Sequence, residues 1–208
     1  FSIVSRYPDP ATIEPDYPLV NHTNRYADFN FQIQTNGALN FFMGGSGDPH
    51  GSIFKKYGIL INGGFGVRPL KWTHVAVTVN TPAGSENPDW AYVYVNGRQV
   101  NGGKWQTPGY KRNDYSSTRP IILGHYVNPQ NQYWEGYMDE IRFWNYARSP
   151  EDIFNNIYTV YSGTEEGLLG YYRCNELGGD ILYPEPRGVR GYVGEMVGVQ
   201  RANSGVQR

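Results

Sequence analysis

The 208-residue chain has no apolar run approaching the ~20 residues of a membrane-spanning helix, and its opening Phe1-Ser2-Ile3-Val4 is not a signal peptide. It has a single cysteine, Cys174, which excludes an intrachain disulfide. A lone thiol fits a reducing compartment, and it equally fits a secreted domain large enough to fold without a staple. There is no excess of either charge: 18 basic and 19 acidic residues leave a net charge of −1. The chain therefore lacks the basic face that displaces counterions from phosphates, which excludes nucleic acid as a partner. There is no initiator Met, so the chain is expected to be a processed form or a piece of a longer polypeptide. Internal repeats and linker-like stretches are absent too, which points to one domain over residues 1–208.

What the chain has in quantity is turn-forming and aromatic residues. Twenty-six glycines and 14 prolines make up nearly a fifth of it, against an average of about 12%. Aromatics reach 15%, with 18 tyrosines to 9 phenylalanines, enough to argue against disorder. The first 28 residues are punctuated by Pro8, Pro10, Pro15 and Pro18, with only residues 1–4 reading as a strand. Alternation then predicts strands over 29–34, 38–43, 57–61, 72–80, 90–95 and 98–100. The hairpin turn at Asn96-Gly97 is the clearest single signal, because both residues tolerate positive φ. Gly-rich and polar stretches at 44–52 and 101–118 read as loops. Ile121-Ile122-Leu123, apolar on both faces, reads as a central strand, followed by strands at 137–144, 168–174 and 192–199. One helix is predicted over 149–160. Ser149 serves as its cap and Pro150 as its first residue, and Ile153, Phe154, Ile157 and Val160 fall at helical spacing.

Five blocks spell a recognisable pattern. Lys71-Trp72-Thr73-His74-Val75-Ala76-Val77-Thr78-Val79 resembles the Trp-x-His-Val-Ala-Val-Thr strand of laminin-G-like domains. Val93-Tyr94-Val95-Asn96-Gly97 resembles their Tyr-Val-Asn/Asp-Gly hairpin, and Ile121-Ile122-Leu123-Gly124 their Ile-Leu-Gly strand. The run from Gly136 to Ile153 resembles their signature with Asp-Glu at 139–140, Arg142 and Trp144-Asn145. Gly167-Leu168-Leu169-Gly170-Tyr171-Tyr172 resembles the strand that follows it. The resemblance is to the superfamily of concanavalin A-like lectins, glucanases and pentraxins. It implies an all-β fold, an antiparallel two-sheet jelly-roll sandwich with one short helix. Aligned this way, Phe1 falls where the family has already formed earlier strands. Either residues 191–200 fold back into their place, or a companion chain or second copy supplies them, since open sheet edges are a liability.

The catalytic carboxylates of the glucanases alternate along one strand, which brings two of them about 5–5.5 Å apart. Here Asp139 and Glu140 are adjacent and so point to opposite faces, while Glu135 and Asp139 are too widely spaced. The expectation is a non-enzyme in which Asp139-Glu140 is structural. Glu165-Glu166 reads as a solvated turn, Cys174 as a buried thiol and His74 as a structural strand residue. Calcium is a candidate cofactor. The pentraxin-like alignment leaves Asn128 and Gln132 as oxygen ligands, and Asp48 with Asp114 offers a weaker alternative. Calcium, however, wants 6–8 oxygens, several of them carboxylates.

Sugars present hydroxyls to planar amides and C–H faces to aromatic rings. One loop carries Trp105, Tyr110 and Tyr115, and the next carries Tyr126, Asn128, Asn131, Gln132, Tyr133 and Trp134. If the two converge at one end of a sandwich, they form a glycan site; alternatively, Trp105 and Trp134 cap the core. Asn21, in Asn21-His22-Thr23, is a candidate glycosylation site. The expected function is a secreted, non-enzymatic carbohydrate-binding domain with glycans as partners. The alternative is an adhesion module that binds protein within a larger extracellular assembly.

Overall fold

The structure, a computed structural model, describes residues 2–6, 29–33, 37–43, 45–46, 67–80, 90–104, 111–112, 121–126, 132–134, 136–176, 180–187 and 194–195. In chain order its elements are β1 Ser2–Arg6, β2 Phe29–Ile33, β3 Leu39–Met43, β4 Gly45–Ser46, β5 Val75–Asn80, β6 Trp90–Val95, β7 Arg98–Lys104, β8 Lys111–Arg112, β9 Ile122–Leu123, β10 His125–Tyr126, β11 Gln132–Tyr133, β12 Ile141–Trp144, α1 Pro150–Asn155, β13 Leu168–Tyr172, β14 Ile181–Leu182 and β15 Gly194–Glu195. They fall into two compact units, 1–135 and 136–208. The strand expected over 57–61 lies outside the described residues.

In the first unit, β3-β2-β1-β9 form an antiparallel sheet and β5-β6-β7 a second. The alternation in sequence becomes the core between them. Phe31 and Ile33 of β2 pair with Phe41 and Leu39 of β3. These four pack with Ala91 and Val93 of β6, and Val75, Val77 and Val79 of β5 close against the cluster. The Phe31 and Phe41 rings meet edge to face, with centroids 6.5 Å apart. This two-layer packing makes the chain an all-β sandwich. Asn96 and Gly97 both take positive φ, at 48° and 75°, and turn β6 into β7 with Val95 opposite Arg98, as the dipeptide predicts.

Three readings of this unit are corrected. First, β7 continues through Asn101-Gly102-Gly103 to Lys104 rather than ending at Val100. Gly102 pairs with Tyr92, and the Tyr92 ring fills the space where a side chain would stand: a Cβ on Gly102 would lie 2.4 Å from Tyr92 Cδ1. Second, the two segments read as loops contain a strand pair, with Gly45 opposite Arg112 and Ser46 opposite Lys111. Third, β9 pairs with β1 at the end of the four-stranded order among the described residues, rather than within it, and Ile121 is exposed.

In the second unit, β12 pairs with β13 and β14 with β15. Both strands of the first pair are shorter than their apolar runs suggest. Glu140 takes φ 55° and Cys174 φ 54°, and residues in the left-handed region cannot extend a strand, so pairing starts at Ile141 and stops at Tyr172. The helix ends at Asn155, not at 160. Its start is as read: Ser149 Oγ accepts the Asp152 N–H at 3.0 Å, and Pro150 opens the first turn. Its end is set by Asn156, whose Nδ2 donates to the Asp152 carbonyl at 2.8 Å and so replaces the next helical bond with a side chain. Ile153 is buried, but Phe154 and Val160 are exposed, so the expected apolar stripe is not a packed face. Of the stretch 191–200, the described part is β15, which pairs with Ile181 and Leu182.

Candidate functional site

β9 passes through Gly124 into β10, and β10 returns as β11. Tyr126 stands opposite Gln132, and His125 opposite Tyr133. The Trp134 N–H donates to the Gly124 carbonyl at 2.6 Å and closes the hairpin one residue beyond β11. Four of the residues singled out in the sequence, Tyr126, Gln132, Tyr133 and Trp134, are therefore brought together by one backbone device. Asn128 belongs to the connection 127–131, which lies outside the described residues, as do Trp105, Tyr110 and Asn21. Lys111 and Arg112, which follow Tyr110 in sequence, form β8 and pair with β4.

Trp134 takes the core-capping position that was one of its two readings in the sequence. Its ring packs against the core cluster of Phe31, Leu39, Phe41 and Val93, which is the behaviour of a cap. Its indole Nε1 is buried and has no acceptor among the described residues. A buried donor left unpaired costs about 1–3 kcal/mol.

In the second unit, the Asp139-Glu140 pair of the signature is a structural network. The Asp139 carboxylate accepts the Glu140 N–H at 2.9 Å. Glu140 Oε2 accepts from Arg142 Nη2 at 3.1 Å and from the Tyr171 hydroxyl at 2.5 Å, and Arg173 Nε lies 3.8 Å from Oε1. Arg142 also donates to the carbonyls of Asn156 at 3.0 Å and Thr159 at 2.6 Å, and its guanidinium lies 4.7 Å from the centroid of the Tyr161 ring. Burial first, and then the Glu140 carboxylate, push the Tyr171 hydroxyl up to about 12. These groups hold the turn after α1 against β12 and β13, and the Glu140 carboxylate is taken up by structural partners. His74 likewise serves the β6–β7 turn: its N–H donates to Asn96 Oδ1 at 3.0 Å, and its carbonyl accepts the Asn96 N–H at 2.8 Å. Cys174 is half-buried beside the Tyr172 carbonyl.

One surface feature went unnoticed in the sequence. Asn145, Tyr146, Glu166 and Gly167 line an open depression of about 330 Å³. Its only signal was the Trp-Asn-Tyr run of the signature, and nothing in sequence joins that run to Glu166. Among the described residues, no group of three or more His, Cys, Asp or Glu could hold a metal ion. Of the candidate calcium ligands, Gln132 lies on β11, and Asn128, Asp48 and Asp114 lie outside the described residues. No described helix is long and apolar enough to cross a membrane.

Comparison with known proteins places this architecture. A candidate carbohydrate-binding protein from Bacteroides ovatus superposes with a TM-score of 0.53 at 18% identity, covering 88% of this chain and 48% of its own. The chain thus spans about half the length of that protein. An S-layer domain-containing protein from Clostridium thermocellum gives a TM-score of 0.35 at 23% identity, covering 64% of this chain and 56% of its own. A search of curated proteins finds no match. A laminin-G family matches residues 7–154, the greater part of the sequence, and the chain belongs to the concanavalin A-like lectin/glucanases superfamily.

Proposed function

We propose that the chain is a non-enzymatic, lectin-like carbohydrate-binding domain that works outside the cell, with the β10–β11 hairpin as its principal contact. The observation that carries this reading is the hairpin register. It sets an aromatic residue, Tyr126, opposite an amide residue, Gln132. Rings for C–H faces and amides for hydroxyls are the chemistry that sugars require. Family membership and the Bacteroides ovatus protein of the same fold support it, although a fold alone does not confer a function. Trp105, Tyr110, Asn128 and Tyr133 are further proposed contacts. Calcium through Asn128 and Gln132 is an optional addition to them.

The rival reading, an adhesion module for a protein partner, draws on the exposed Phe154, Tyr158 and Val160 of the second unit. Glycan-array screening of the full chain, with calcium and with chelator, separates the two. Reproducible binding that is lost in Gln132→Ala or Tyr126→Ala supports the lectin reading, and a blank array under both conditions rejects it.

A further inference from the structure

We propose that the depression bounded by Asn145, Tyr146, Glu166 and Gly167 is a second glycan subsite that takes a single uncharged pyranose ring. The proposal rests on the reading of the chain as carbohydrate-binding and adds a second, separately built contact to it.

The depression is built by backbone. Trp144 stands opposite Leu168 at an irregularity of the β12–β13 register, and the Asn145 N–H donates to the Gly167 carbonyl at 2.9 Å. This joins Asn145 and Tyr146 to Glu166 across the end of the strand pair. Gly167 takes φ 77°, and a Cβ there would lie 2.4 Å from Tyr146 Cε1 and 2.7 Å from Asn145 Oδ1. Only glycine allows both side chains to settle on that backbone. Trp144 supports Tyr146 from another side, with centroids 5.8 Å apart and planes at 68°.

The polar groups around this floor are unspent. Glu165 is engaged: its carboxylate accepts the N–H groups of Ser162 at 2.8 Å and Gly163 at 2.9 Å. The neighbouring Glu166 carboxylate, the Asn145 amide and the Tyr146 hydroxyl have no hydrogen-bond partner among the described residues, and all three residues are exposed. Tyr146 leaves 49% of its surface open. A half-exposed ring beside one amide and one carboxylate matches a pyranose, whose C–H face stacks on the ring while adjacent hydroxyls bond the polar pair. The volume sits at the low end of the ~300–1,000 Å³ of small-molecule sites, which suits one sugar ring rather than an oligosaccharide. The Glu166 carboxylate disfavours acidic sugars by like-charge repulsion.

The test is an amide NMR titration of the ¹⁵N-labelled full chain with the methyl glycosides of glucose, galactose and mannose, and with methyl glucuronide. At least one neutral glycoside is expected to shift the Asn145 and Gly167 amides, and the glucuronide to bind more weakly. Tyr146→Ala should weaken the neutral ligand about tenfold at these amides, with Tyr146→Phe within about threefold of the parent. Glu166→Gln should narrow the gap between the glucuronide and the neutral sugar. Shifts confined to 125–134, or unchanged in Tyr146→Ala, overturn the subsite and leave the hairpin reading standing. Shifts at 145 and 167 that survive Gln132→Ala support the subsite independently of the hairpin. If no glycoside shifts any amide, both proposals fall together.

Discussion

Tyr171, on β13, donates its hydroxyl to the carboxylate of Glu140, 31 positions earlier in the chain, and the bond joins the turn before β12 to the strand beside it. The Tyr171 ring is fully buried. Glu140 reaches it from a left-handed conformation, φ 55°, that a non-glycine residue keeps only when its surroundings hold it there.

The first prediction concerns alkaline pH. Burial and the Glu140 carboxylate raise the Tyr171 hydroxyl from 10.0 to about 12. A group whose folded value lies above its unfolded value gives its full stabilisation below the unfolded one and loses it as pH rises through the folded one. The stability difference between the native chain and Tyr171→Phe should therefore be constant up to about pH 10 and shrink from there toward pH 12. Denaturant unfolding of both proteins across pH 7–11.5 checks this. A difference that stays flat contradicts it.

Arg142 provides a second. Its fork serves Glu140, two carbonyls and two ring faces at once, with the Tyr171 centroid 5.5 Å away. A lysine ammonium cannot reproduce that planar set of donors. Arg142→Lys should cost about 1–3 kcal/mol, and Arg142→Met more, because it leaves Glu140 without its nearest cation. Urea unfolding midpoints read both, and equal stability of Arg142→Lys and the parent would refute the role assigned to the fork.

Glu165 and acid make a third. Partial burial acts to raise its carboxyl, but hydrogen bonds from its own backbone, from Ser162 and from Gly163 outweigh that and hold it below 4.5. A depressed folded value means that the stabilisation is present above the unfolded value and is lost as pH falls through the folded one. Glu165→Gln should be less stable by up to about 1 kcal/mol at pH 7, with the gap closing below pH 4.5. Thermal unfolding at pH 7, 5, 4 and 3 follows it.

Much of this was legible in sequence where local chemistry decides the outcome. Asn96-Gly97 set its hairpin because two positive φ values in succession leave few other residues eligible. Ser149-Pro150 set the start of α1 because capping is local. Asp139-Glu140 could be read as structural from its place in the family signature, although the pair lies just before β12 rather than on a strand. The misses are non-local. β7 runs on through Gly102 because it pairs with β6 as far as Lys104, and glycine is required at 102 by the Tyr92 ring of the facing strand, which no glycine count reveals. The early end of α1 depends on a side chain of Asn156 competing with the helix. Asn145 and Glu166 meet only because β12 and β13 pair in one register. Tyr126 and Gln132 were picked out by residue type, but their position opposite one another is a property of the folded hairpin.

The measurement that tests the central claim most directly is glycan-array binding of the intact chain beside Gln132→Ala and Trp144→Ala, with each variant's folding checked by its unfolding midpoint. Trp144 anchors the second unit, where its ring lies 5.5 Å from that of Tyr161 and 4.2 Å from the Arg148 guanidinium. Gln132 stands opposite Tyr126 in the hairpin. The account predicts glycan binding by the parent that falls about tenfold or more in folded Gln132→Ala. In folded Trp144→Ala, recognition at the hairpin should be retained. An array with no signal from the parent, or a folded Gln132→Ala that binds as the parent does, would contradict it.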